Sequence, residues 1–151
     1  DINSPGLKID NIQNLLCFSL YWNIFEHKIC QDCFDIVKVE NAIKNKHMRF
    51  EEFEENFEYF KSRYTKKTFD GEYWIKGLRF RNNNDIKRVW NSLTKEANDI
   101  EKIVSIILII QRLRNNLFHG VKPAEAFTKN EKNFEVANNT IKKFLELYKE
   151  R

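Results

Sequence analysis

Proline and glycine are scarce. Two prolines and four glycines punctuate 151 residues, too few for a fold built from many short strands and tight turns. Cysteine is sparse as well, and its odd count (Cys17, Cys30 and Cys33) argues against a disulfide framework and for reduced thiols in a cytosolic setting. No apolar run is long enough to cross a bilayer; the longest, residues 103–110, falls far short of the length needed. The first thirty residues lack the basic, apolar, small-residue order of a signal peptide. The expectation is a soluble, cytoplasmic protein with no membrane partner.

What the chain has in quantity is aromatic and aliphatic mass. With 42% hydrophobic residues, thirteen of them Phe, it can bury a real core and fit a single domain over residues 1–151. Charge is unevenly distributed. Residues 1–60 carry 6 Lys/Arg and 11 Asp/Glu, a net of −5, whereas residues 61–151 carry 20 and 11, a net of +9. A basic half suits an anionic ligand such as nucleic acid, although lysines on solvated helix faces account for much of it.

Helical spacing of apolar positions recurs along most of the chain, so the fold class read from the sequence is all-α. The expected form is a bundle of four main helices plus shorter ones, with an irregular segment around residues 65–83. Asp10 is the expected cap of a first helix running to about Lys28, and Asp32 of a second, shorter one through Ile43. Phe50, Phe53, Phe57, Phe60 and Tyr64 fall three and four apart among glutamates. That is the pattern of a core stripe rather than of a base-stacking platform, which would be interleaved with cations.

Residues 65–83 break the periodicity and mix Tyr73, Trp74, Arg79, Phe80 and Arg81. This composition fits single-stranded RNA contacts, or more simply a loop pinned to the bundle by its aromatics. A further helix is expected from Ile86 to Ala97. Asn98, with Asp99 and Glu101, then opens the next, to about Arg114. Its Ile- and Val-rich middle would suit a buried strand, but the caps and flanking charges extend the pattern to helical length. Gly120 and Pro123 end or bend that path, and a last helix is expected over Glu131 to Tyr148.

Two constellations could carry chemistry. His27, Cys30 and Cys33 stand at ligand-like spacing, but a tetrahedral zinc site would need Cys17 or His47 as a fourth ligand. Inert thiols are the simpler reading, and no cofactor or metal is expected. The second constellation is Arg114-Asn115-Asn116-Leu117-Phe118-His119-Gly120. It puts a permanent cation and a titratable imidazole at the end of the most apolar segment of the chain. RNA cleavage without a metal needs a base for the 2′-OH proton, an acid for the leaving 5′-oxygen and a cation for charge building at phosphorus. Histidine and arginine supply these functions, and Asn115 can donate to phosphate or hold the imidazole. Taken singly, an arginine near a helix C-terminus or a histidine before glycine is ordinary capping.

Arg114 with its polar follower Asn115, then His119 after four intervening residues, resembles the signature of the HEPN family of helical-bundle ribonucleases. The Leu117-Phe118-His119-Gly120 continuation is similar to many members, and residues 20–26 resemble the family's first helix. Arg112 offers a second register, six residues before His119; Asn115 favours Arg114. The resemblance implies a metal-independent endoribonuclease of the toxin or antiphage-defence kind, with Arg114, His119 and Asn115 as catalytic residues. Arg112, Lys122, Arg79 and Arg81 are secondary candidates for holding the RNA backbone. One such histidine per chain is short by one for two proton transfers, so the resemblance further implies a homodimer whose two motifs share a cleft. An antitoxin or other regulatory partner is a further candidate, and the sequence leaves open whether one exists. The alternative is a HEPN-like module that keeps the motif for RNA or protein binding without chemistry.

Overall fold

The computed structural model describes residues 9–117 and 123–151, and side chains from residue 12 to 117 and from 131 to 151. Over these residues the chain is an all-α helical bundle. Its helices are α1 (Ile9–Cys30), α2 (Ile36–Asn45), α3 (Glu54–Tyr64), α4 (Asn83–Thr94), α5 (Asp99–Asn116) and α6 (Pro123–Glu150), with 3-10 turns at Phe50–Glu52 and Trp74–Leu78. None is long and apolar enough to cross a membrane.

Helix α5 is the centre. Residues 103–110 are all buried, as expected for a helix that is apolar on every side, and α2, α3 and α4 pack around it. It is a helix and not a strand because its start is well capped: the Asn98 side chain accepts from Glu101 N at 2.9 Å, with acidic Asp99 and Glu101 in the first turn. Among the described residues the only β pairing is an isolated Lys67–Tyr73 bridge, so no sheet is present for an Ile-rich strand to join.

The aromatic stripe lies in the core, with Phe53, Phe57, Phe60 and Tyr64 each at most 3% exposed. Phe144 of α6 ties two layers together by touching Phe25 of α1 and Phe53. Helices α1 and α6 run in the same direction, since Phe18 meets Phe134 in their first halves and Phe25 meets Phe144 further along. The α3–α6 seam is polar. Tyr59 donates to Asn133 Oδ1 (2.7 Å), Asn133 donates to the Tyr64 hydroxyl (3.1 Å) and Asn56 donates to Thr140 Oγ1 (2.8 Å). Burial pushes the Tyr64 phenol up to about 12, so it stays a neutral hydrogen-bonding group at any physiological pH.

Expected boundaries shift at four helices. Helix α4 covers Asn83–Thr94 instead of residues 86–97, its start fixed by the Asn82 side chain accepting from Asn84 N at 2.8 Å. Helix α1 is already under way at Ile9, so Asp10 lies inside it and is not its cap. Asp32 does not cap α2 either: Gln31 and Asp32 both adopt positive φ (58° and 73°) in the turn after α1. Asp35, extended at φ −142°, accepts from Val37 N at 2.9 Å and begins the helix. Finally, α6 begins at Pro123, eight positions before the expected start at Glu131. Proline suits a first helical turn, where its missing N–H costs nothing, and residues 124–130 are too short a stretch to show an apolar period of their own.

Candidate functional site

The irregular segment is fastened to the end of α5. A turn closed by the Lys67–Tyr73 bridge, with Gly71 at φ 83°, leads into the 3-10 turn Trp74–Leu78. Tyr73 packs edge-on against Trp90 (4.8 Å between centroids), while Trp74 stays 43% exposed. The turn stops at Arg79, whose left-handed backbone (φ 51°) is a conformation that costs a non-glycine residue roughly 1 kcal/mol or more. Two α5 side chains then seize the same carbonyl. Arg112 Nε donates to Leu78 O at 3.0 Å and Asn116 Nδ2 donates to it at 2.7 Å, while Arg112 Nη2 donates to Asn116 Oδ1 at 3.2 Å. Arg112 and Asn116 stand one helical turn apart, the spacing that puts two side chains on one face.

This clamp sets Arg79 and Arg81, picked out in the sequence by composition alone, directly after a residue held against the Arg114 helix. Arg112 is only 7% exposed. Its guanidinium is pushed below the usual arginine value, first by burial and then by the positive charge of Arg81. Arg114 is the opposite case. It faces solvent and its Nη1 donates to Asn115 Oδ1 at 3.1 Å, so the motif's cation and its polar follower already touch, and the Asn115 amide N–H groups have no acceptor among the described residues. Among the described residues none of Arg79, Arg81, Arg112 or Arg114 forms an ion pair with a carboxylate.

The end of a helix carries partial negative charge and by itself repels an anion. Arginines at such an end, without carboxylate ion pairs among the described residues, offset it, and the guanidinium fork matches phosphate geometry. His119 and Lys122, with Phe118 and Gly120, lie outside the described residues. Asn116 escaped the sequence reading; its i, i+4 relation to Arg112 was the available signal, but its target, Leu78, is distant in sequence.

The Cys/His constellation is dispersed. His27 Nδ1 lies 2.6 Å from Asp32 Oδ1, Cys30 is buried and donates to Asp35 O, and Cys33 is exposed. No group of three or more His, Cys, Asp or Glu among the described residues is placed to hold a metal ion. Glu26 accepts from Trp22 Nε1 at 3.0 Å within α1. Compared with known proteins, the chain matches no family model, no curated protein and no solved structure.

Proposed function

We propose that this chain is a HEPN-type, metal-independent endoribonuclease that works as a homodimer. The observation that carries this reading is the solvent-facing Arg114–Asn115 pair at the end of α5, where Arg114 has no carboxylate ion pair among the described residues. The clamp on Leu78 brings Arg79 and Arg81 to the same end of the helix, on its Arg112 face. In the proposed reaction the ribose 2′-oxygen attacks phosphorus and gives its proton to a base. The P–O5′ bond breaks and the leaving oxygen takes a proton from an acid, yielding a 2′,3′-cyclic phosphate and a 5′-hydroxyl. His119 of each protomer supplies one of these proton transfers, and Arg114 holds the non-bridging oxygens as charge accumulates.

The test is incubation of the purified protein with single-stranded RNA in EDTA. Cleavage with cyclic-phosphate ends, blocked by a single 2′-deoxy substitution at the cut site, is the expected result. Cleavage that requires added magnesium, or that survives the deoxy substitution, refutes this chemistry. RNA binding without turnover would instead favour a non-catalytic RNA-binding module using the same arginines.

A further inference from the structure

Helix α1 leaves one face bare. Leu16, Leu20 and Ile24 are 59%, 64% and 43% exposed, and their spacing of four places them in one ridge along the helix. They are three of the six large hydrophobic residues exposed among the described residues. The ridge also lies in a stretch without charge: residues 11–25 contain no Asp, Glu, Lys or Arg, in a chain where such residues make up 32%. Ser19 and Asn23 flank it with small neutral groups. A solvated helix face normally carries charge, and an aligned apolar ridge rimmed by neutral polar residues marks an association surface.

We infer that this face of α1 pairs with the same face of a second copy of the chain. The argument for a second copy is electrostatic. A two-fold interface packs one patch against its own copy, so a charge near the axis would face its own like charge. An uncharged ridge avoids that repulsion, and it offers no complement to a charged partner. Leu20 stands midway between Leu16 and Ile24, so a two-fold that joins the ridges brings Leu20 next to Leu20 of the partner whether the helices run parallel or antiparallel.

The pairing stands without the ribonuclease proposal, but its direction bears on it. Helix α6 starts within six peptide links of Leu117, a reach of at most about 20 Å, and α1 runs alongside α6 in the same sense. The beginning of α1 and the Arg114 end of α5 therefore share one end of the bundle. Parallel pairing sets the two arginine clusters at the same end of the dimer, and antiparallel pairing sets them at opposite ends.

The experiment is sedimentation equilibrium on the full chain and on Leu16→Lys/Leu20→Lys, together with cysteine cross-linking. In a Cys17→Ser/Cys33→Ser background, Leu20→Cys should form a disulfide-linked dimer on mild oxidation, while Glu58→Cys, exposed on α3, should not. The parent should sediment as a dimer at micromolar concentration. The double lysine variant should be a monomer with an unchanged helical circular dichroism spectrum, since both side chains are solvent-facing. A monomeric parent overturns the inference, as does a dimer that survives both lysines and gives no Leu20→Cys link. Mixing Leu16→Cys with Ile24→Cys reads the direction. A strong mixed link means antiparallel pairing, which keeps this inference and removes the shared-cleft form of the ribonuclease proposal.

Discussion

Helix α5 has an arginine site at each end, and the two are built oppositely. At its first turn, Arg88 of α4 reaches Glu101 (2.6 Å) and Glu40 of α2 (2.5 Å), cross-linking three helices through one guanidinium. Hydrogen bonding to Glu101, and then to Glu40, raises the Arg88 pKa above its ordinary value. At the last turns, Arg112 donates to a carbonyl and an amide, and burial, followed by the positive charge of Arg81, lowers its pKa. The first cation is neutralised and serves the fold. The second group of cations, with Arg114, Arg79 and Arg81, is not neutralised by the described residues, so its electrostatic balance is left for an anion to complete. That contrast makes this end of α5 the better candidate for binding a polyanion.

The largest expected effect falls at the motif. His119→Ala should reduce RNA turnover by roughly 10²- to 10⁴-fold, the usual scale for losing a positioned acid or base, while leaving binding nearly intact. Arg114→Ala should lower turnover and affinity together and flatten the salt dependence, the log–log slope falling by about 0.7 for one lost contact to a single strand. Asn115→Ala should be milder. Filter binding over a salt series beside a cleavage assay separates these roles, and an unimpaired His119→Ala protein would end the catalytic reading.

The sequence made most of the helical architecture legible because burial leaves a period. The Phe53, Phe57, Phe60, Tyr64 stripe and the Asn98 cap were both readable in advance, the first from spacing and the second from a local hydrogen-bonding rule. Local chemistry was ambiguous where two residues could do one job: Asp32 and Asp35 are both good caps, and the left-handed turn at residues 31–32 decided between them. Composition flagged Arg79 and Arg81 but did not say where they would lie. Their position depends on Leu78 O meeting Arg112 and Asn116, and a backbone carbonyl 34 and 38 residues away leaves no trace in side-chain patterning.

Stability should separate the two arginine sites. Arg88→Met strands two partly buried carboxylates and should cost about 2 kcal/mol, the burial being incomplete. Arg112→Met leaves Leu78 O still bonded to Asn116 and removes a buried cation that has no ion-pair partner among the described residues, so it should cost about 1 kcal/mol or less. Urea titrations of both variants measure the difference, and equal losses would erase the distinction drawn between the two ends.

Acid sharpens the same contrast. Hydrogen bonding to Arg88 holds the Glu101 carboxyl below its ordinary value. Its contribution to stability is therefore complete above the unfolded carboxylate pKa of about 4.3 and is lost as pH falls through the lower folded value. Arg88→Met should accordingly flatten the decline of stability below that pH. Arg112→Met should leave the decline as steep as in the parent, since Arg112 has no carboxylate ion-pair partner among the described residues. Urea midpoints measured down through the acid range would show it.

The smallest expected effect lies in the middle of α5, between its two ends. Ser105 is fully buried, and its hydroxyl has no hydrogen-bond partner among the described residues; its neighbours from Ile103 to Ile110 are all aliphatic. Burying an unbonded hydroxyl costs about 1–3 kcal/mol, and alanine also has the higher helix propensity, by a few tenths of a kcal/mol. Against this, removing the oxygen leaves a small void whose lining loses dispersion contacts. Ser105→Ala should therefore stabilise the protein by about 0.5–1 kcal/mol, a rise of about 1–4 °C in melting temperature for a chain of this size, with RNA cleavage unchanged. A fall in melting temperature would mean that the hydroxyl is bonded in solution, most simply to the carbonyl one helical turn earlier.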